Sequence, residues 1–296
     1  GYLSATGSAS KAEQAKARAL SNLAKIFEVR IKEVSTTQRD VQTSKVEDVE
    51  AVQVSQRQAS TVNLQTDKMI QGARIAEQWQ SGTDLTSHAL AVLDREQAGA
   101  NIRGEMRRLD EETQYALGKL DERENKLLKI SDLHRANSLQ RDRQVLQKTL
   151  KVIDLKGQGS PASWSLAELN EQLRQALRAL PLQTSAKVDD VGDLDAILQG
   201  SASRAGFSII QGGQEYYLLS ASLDMQPPVN KENWYWSRAT LSVELIAEDG
   251  ITVIGRQSWP LKVSAGEEMQ LAPRMRKAAE EKLDEELFDV MLEFVS

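Results

Sequence analysis

Residues 102–120 read IRGEMRRLDEETQYALGKL, and the spacing of their apolar positions decides the architecture. Ile102, Met106, Leu109, Thr113, Ala116 and Leu120 step by 4, 3, 4, 3 and 4 residues. That alternation is the seam of a helix that faces another helix. Leu127, Ile130 and His134 continue it loosely, and Leu139, Leu146, Leu150 and Ile153 resume it. Residues 95–155 therefore predict helix. A single helix of about 60 residues would be about 90 Å long and would leave the seam bare. An antiparallel hairpin buries the seam within one chain, and a dimeric coiled coil is the competing arrangement. The hairpin is the favoured reading, with Ile102, Met106, Leu109, Leu120, Leu146, Leu150 and Ile153 packed together. Its turn falls in the polar cluster 121–125, or at Asn137-Ser138.

Upstream, residues 1–94 predict a small α+β sandwich. Tyr2-Leu3-Ser4-Ala5-Thr6-Gly7 reads as a strand or extended lead-in, and Ser10-Lys11-Ala12-Glu13 fits a capping box. Ala12, Ala15, Ala19, Leu20, Leu23 and Ile26 follow at helical spacing. Phe27, Val29 and Ile31 then alternate with charged residues, the pattern of a half-buried strand. Ser44-Lys45-Val46-Glu47 opens a second helix carrying Val46, Val49, Val52 and Ala59. Ala73, Ile75, Glu77 and Trp79 alternate in a strand, and a turn at residues 81–84 leads to its partner, residues 85–94. There Ala89, Ala91 and Leu93 line one face and Leu90 and Val92 the other, as in a central strand covered on both sides.

Downstream, all six prolines stand at or after Pro161. Lys156-Gly157-Gln158-Gly159-Ser160-Pro161 has the composition of a linker. The sequence thus divides into residues 1–94, a hairpin at 95–156, a linker at 157–163, and residues 164–296. The last segment predicts a two-layer α/β domain with a mostly antiparallel sheet. Leu166, Leu169, Leu173 and Leu177 form a helical stripe, and residues 182–188 alternate as a strand. Asp193 can cap a helix that Gly206 ends. Residues 207–210 read as a short strand, and Gly212-Gly213 turns into a strand through Tyr217, Leu219, Ala221 and Leu223. Pro227-Pro228 interrupts; Ala239, Leu241, Val243 and Leu245 alternate; Asp249-Gly250 is a hairpin signal; and Met275, Ala279, Leu283, Leu287, Val290 and Phe294 give a final amphipathic helix.

Composition excludes several functions. The chain of 296 residues has no cysteine and only two histidines, His88 and His134. Thiolate and histidine-rich metal sites are therefore excluded, and a histidine general base is disfavoured. A net charge of −6 argues against nucleic acid as the main partner. Residues 267–296 carry nine acidic and four basic side chains, so most of the imbalance sits on the last helix. No phosphate loop, dinucleotide fingerprint, nucleophile elbow or zinc-protease helix occurs. Asp189, Asp190, Asp193 and Asp195 miss the spacing of a calcium loop and read as acids at a helix start. The expectation is no catalytic, cofactor or metal site. The partner-binding candidates are Trp234 and Trp236 with Pro227 and Pro228 before them. Trp234-Tyr235-Trp236 is either a docking platform or a strand whose rings cover the sheet. Strand alternation puts both tryptophans on one side, away from Ala239, Leu241, Val243 and Leu245.

A resemblance adds to this reading. Tyr2-Leu3-Ser4-Ala5-Thr6-Gly7, the helix with Ala15, Arg18, Ala19, Asn22, Leu23 and Ala24, the stretch Phe27-Glu28-Val29-Arg30-Ile31, Ala76-Glu77-Gln78-Trp79 and residues 88–95 resemble the LPP-twenty family of bacterial outer-membrane lipoproteins. Relatives include flagellar FlgP- and FlgT-type proteins. The resemblance implies a non-catalytic assembly or scaffold component facing the periplasm. It also implies a precursor anchored by a lipidated N-terminal cysteine, so that membrane contact is through that lipid alone. Partners would be envelope proteins or a second copy. Residues 205–210 and 216–223 resemble the domain shared by TolB N-terminal regions, CsgG and LpoB-type activators. That implies the alternative of a regulator binding an envelope enzyme of peptidoglycan synthesis through the C-terminal domain. A cell-wall hydrolase is a remote third reading, because no convergent acid pair is visible.

Overall fold

The computed structural model describes residues 1–39, 72–213 and 215–294. The chain divides into two compact units, Gly1–Tyr115 with Ala136–Leu166, and Ala116–Arg135 with Ala167–Ser296. It is an α+β fold, as the patterning requires.

The first unit opens with β1 (Tyr2–Ala9) and α1 (Ala12–Arg39), and continues with β2 (Arg74–Gln80) and β3 (Ser87–Asp94). The strands form an antiparallel sheet in the order β1-β3-β2. β3 is thus central, which its two apolar faces demand. Ala15, Ala19 and Leu23 of α1 pack in one core with Leu3, Ala5, Ala9, Ala89, Ala91 and Leu93. Small residues let helix and strand approach closely. A Cβ on Gly7 would lie 2.2 Å from the Ala19 backbone nitrogen and 2.5 Å from the Ala15 carbonyl oxygen. Arg18 Nη1 donates to the Ser8 carbonyl at 2.7 Å, and Asn22 Nδ2 to the Thr6 carbonyl at 2.9 Å. The helix therefore occupies acceptors of an edge strand that could otherwise template a foreign strand.

The expected strand at Phe27, Val29 and Ile31 is instead helix, because α1 runs through it to Arg39. No glycine or proline interrupts those 28 residues, and extending a nucleated helix costs less than starting a strand on three alternating positions. The helix expected at Val46, Val49, Val52 and Ala59 lies outside the described residues.

The hairpin consists of α2 (Arg95–Gly118) and α3 (Lys126–Ile153), with its turn in the favoured polar cluster. Asp94 Oδ1 accepts the amides of Glu96 and Gln97, and Asn125 Oδ1 those of Leu127 and Leu128, so both helix starts are capped. In the first unit the antiparallel pairing is fixed at one end by Arg95. Its guanidinium donates to the carbonyls of Ile153 at 2.6 Å and Val152 at 3.1 Å. Ile102, Met106, Leu109, Leu146, Leu150 and Ile153 share the first unit's core. Leu120, expected among them, packs with the core of the second unit. Between Leu109 and buried Ala116, Thr113 brings a buried hydroxyl that donates to the Leu109 carbonyl. Replacing buried Leu109 or Leu146 by Ala is expected to cost about 2–4 kcal/mol, measured by denaturant unfolding of the full chain. A loss under about 0.5 kcal/mol at both would refute this packing.

The second unit holds α4 (Leu166–Ala179), β4 (Leu182–Asp189), α5 (Leu194–Arg204), β5 (Tyr217–Met225), β6 (Val229–Lys231), β7 (Trp234–Ile246), β8 (Val253–Ala265) and α6 (Leu271–Glu293). β4 runs parallel to β5, and β5, β6 and β8 pair antiparallel with β7. Leu173, Leu177, Leu194, Leu198, Met275, Ala279, Leu283 and Leu287 pack against Leu219, Ala221, Leu223, Leu241, Val243 and Leu245, a helix layer on a sheet.

Residues 207–210 form no strand; only Ile209 bridges to Leu182, because Gly206 at φ 95° and Gly212 at φ 85° leave too short an extended run. Asp193 does not cap α5: it sits at φ 63° with no side-chain cap bond. Asp189 serves instead, accepting the Leu194 amide at 3.0 Å and the Val191 amide at 3.2 Å, while the Asp193 carboxylate lies 3.4 Å from Arg276.

α6 is tied to β8 by a charged contact at Trp259 and by the Arg274 guanidinium, which donates to the Ser264 carbonyl. Trp259 is buried, and its indole N–H donates to Glu286 Oε2 at 2.6 Å. The Lys282 ammonium, which also donates to Glu286, holds that carboxyl below the usual range, and the indole adds to the effect. A lowered folded-state pKa means stability present above the unfolded value and lost as pH falls through the folded one. Glu286→Ala should therefore cost about 1–3 kcal/mol near neutrality, since a buried N–H loses its acceptor. The difference in melting between variant and parent should shrink as pH falls below the ordinary glutamate range of about 4.3, leaving the part owed to the neutral carboxyl, which still accepts the indole N–H. A deficit that does not shrink in acid would show that charge plays no part.

Candidate interaction surface

β7 changes character along its length. From Val243 to Ile246 it is buried on both faces, whereas from Trp234 to Thr240 exposure alternates with burial. Ser237, Ala239 and Leu241 face the core, and Tyr235 on that side is half-buried. Trp234, Trp236, Arg238 and Thr240 take the opposite side, as alternation requires. Trp234 is 49% exposed and Trp236 37%, so each residue packs part of its surface on the sheet and leaves the rest to solvent.

β6 extends this face. A two-residue turn at Glu232 and Asn233, with φ of 55° and 63°, brings the chain back in the left-handed geometry that suits a tight hairpin. Register places Val229 opposite Trp236 and Lys231 opposite Trp234. Directly paired residues share a face. On the other flank Lys262 of β8 stands opposite Arg238, and its ammonium lies 4.4 Å from the centre of the Trp236 ring. Pro227 and Pro228 are exposed in the connection from β5 to β6. Beside them Gln226 is fixed to β7: its amide donates to the Arg238 carbonyl at 2.8 Å, and Ser237 Oγ donates to its carbonyl at 3.1 Å.

The structure thus gathers Trp234 and Trp236 with residues the sequence reading did not single out: Val229, Lys231 and Lys262. The signal for Lys262 was present. A hairpin turning at Asp249-Gly250 pairs positions whose numbers sum to about 500, which sets Lys262 against Arg238.

Among the described residues several other titratable groups have partners within the fold. His88 stacks on Trp79 with ring centres 5.2 Å apart, and His134 meets Phe288 edge-on at 5.1 Å. Glu244, 7% exposed near the C-terminal end of β7, pairs with Lys187 and Arg256. Asp190 Oδ2 accepts the Met225 amide at 2.7 Å. A surface groove of about 350 Å³ in the first unit is lined by Ala100, Arg103, Met106, Arg107, Asp110 and Ser160. Its one carboxylate is held by Arg143 and Gln140. Among the described residues no group of three or more His, Asp or Glu side chains could hold a metal ion. None of the described helices is long and apolar enough to cross a membrane.

Residues 1–94 match the LPP20 lipoprotein family. Over 100% of this chain and 98% of that one, the chain is matched by a secreted protein of the human pathogen Helicobacter pylori, at 14% identity and a TM-score of 0.44. A minor lipoprotein from Acinetobacter baumannii is similar over 39% of this chain and 90% of its own, at 11% identity and a TM-score of 0.28. The rare lipoprotein B of Shewanella oneidensis is similar over 38% of this chain and 91% of its own, at 11% identity and a TM-score of 0.25. No curated protein matches the chain.

Proposed function

We propose, from the premise that residues 1–94 belong to the LPP20 lipoprotein family, that this envelope lipoprotein acts without catalysis. In this reading it is an assembly or scaffold component on the periplasmic side of the outer membrane, anchored by a lipid on its precursor. The exposed β6–β7 face is its docking surface. The observation that carries the reading is the pair of large indoles, Trp234 and Trp236, exposed on a strand whose opposite side fills the core. Large exposed aromatics are enriched at binding hot spots, and the fold gains nothing from leaving them in water.

The test changes both tryptophans to Ala. Because each residue is about half covered or more, unfolding free energy should fall by about 1–3 kcal/mol while the fold persists. Recovery of cross-linked envelope components from cells should fall by at least about tenfold, the loss of a single hot-spot contact. Unchanged recovery with an intact fold would remove the docking surface from this reading.

A further inference from the structure

The geometry points to a membrane-docking face: the exposed side of β6, β7 and β8 seats on a lipid surface carrying anionic phosphate headgroups. The inference rests on the docking reading above and names its partner. On that side the strands present Val229, Trp234 and Trp236 together with Lys231, Arg238 and Lys262. All six are exposed, Val229 at 63%. Following the face along β7, the first carboxylate met on a paired strand is Asp224, opposite Thr240. Three cations stand among these six residues, with Glu232 in the β6–β7 turn and Asp224 as the neighbouring acids, a local positive excess on a chain of net charge −6.

This combination of side chains fits one environment closely. Tryptophan favours the boundary between headgroups and acyl chains, where the ring is half-apolar and its N–H stays wet. Lysine and arginine beside it reach headgroup phosphates, and each contributes about fivefold in binding to an anionic surface. The face is built of three paired strands with side chains standing off a sheet, so it offers a surface rather than a pocket. A planar interface needs that shape. The cation–π contact of Lys262 with Trp236 keeps the ammonium at the height of the ring, where phosphates would lie. The contact is additional to the lipid anchor that the family implies.

The experiment uses the full chain without a lipid modification and sedimentation with vesicles of phosphatidylcholine alone or with about 30% phosphatidylglycerol, so that only charge differs. The parent should bind the anionic vesicles, fail to bind the neutral ones, and release as salt rises from about 0.05 to 0.5 M. Trp234→Ala with Trp236→Ala should lose at least about tenfold, and so should Lys231→Gln with Arg238→Gln and Lys262→Gln. Circular dichroism spectra of both variants should match the parent at temperatures below their melting transitions. Absence of anionic binding by the parent, or binding that neither variant weakens, overturns the inference. If vesicles are ignored while capture of envelope proteins depends on the tryptophans, a protein occupies this face and the lipid assignment falls. If vesicle binding depends on the tryptophans and protein capture does not, the lipid assignment stands and protein docking at this face falls.

Discussion

Gly7→Ala should unfold the β1–α1 contact, at a cost of upwards of about 3 kcal/mol, beyond the usual range for added methyl groups in a core. The reason is what the new Cβ would meet. At 2.2 Å stands the Ala19 nitrogen, at 2.5 Å the Ala15 oxygen and at 2.7 Å the Arg18 carbonyl carbon. All three are backbone atoms of one helix, so no rotamer change relieves the clash. α1 must lift off the sheet, which breaks the bonds from Arg18 and Asn22 to the Ser8 and Thr6 carbonyls. Hydrogen exchange of the amides in residues 2–9, together with the melting curve, reads both effects. Exchange in β1 that matches the parent would mean that the approach is looser than described.

Arg143→Ala should cost about 3–5 kcal/mol, the range for removing one partner of a buried ion pair. Arg143 is 4% exposed, and its Nε donates to the Asp110 carboxylate at 2.7–2.9 Å while Nη2 donates to the Pro161 carbonyl. Gln140 Nε2 bonds the same carboxylate at 3.0 Å and Thr113 Oγ1 at 2.9 Å. Truncating Arg143 leaves a half-buried carboxylate without its charge partner, and Asp110→Asn in the same chain should recover a large part of the loss. If the double variant is as unstable as the single one, the penalty comes from lost packing of the arginine stem and not from charge. A satisfied polar layer also fixes register, because sliding one helix by a turn would separate all four side chains.

Much of this molecule was legible in its residues. The 4-3-4-3-4 run from Ile102 to Leu120 specified a helix needing a helical partner, and the sequence favoured the polar cluster after it over Asn137-Ser138 for the turn, where the structure places it. Alternation in residues 87–94 and 234–246 specified strands and the side each ring would take. Those signals are local, since helix and strand periods are properties of the backbone. Even Arg143 left a trace: it stands four residues after Leu139 and three before Leu146, on the seam itself.

The rest was decided by tertiary contacts. Phe27, Val29 and Ile31 alternate as a strand would, yet α1 carries them as helix, because a continuing helix overrides three alternating residues. Asp193 has the identity of a cap but Asp189 does the capping, since the left-handed turn at Gly192 and Asp193 chooses which carboxylate meets the free amides. The cations around Trp234 and Trp236 come from three strands, and only the register of β6 and β8 against β7 sets them on one face. Periodicity reports which side of an element is apolar; which elements share that side depends on pairing between residues far apart in sequence, and no local pattern encodes it.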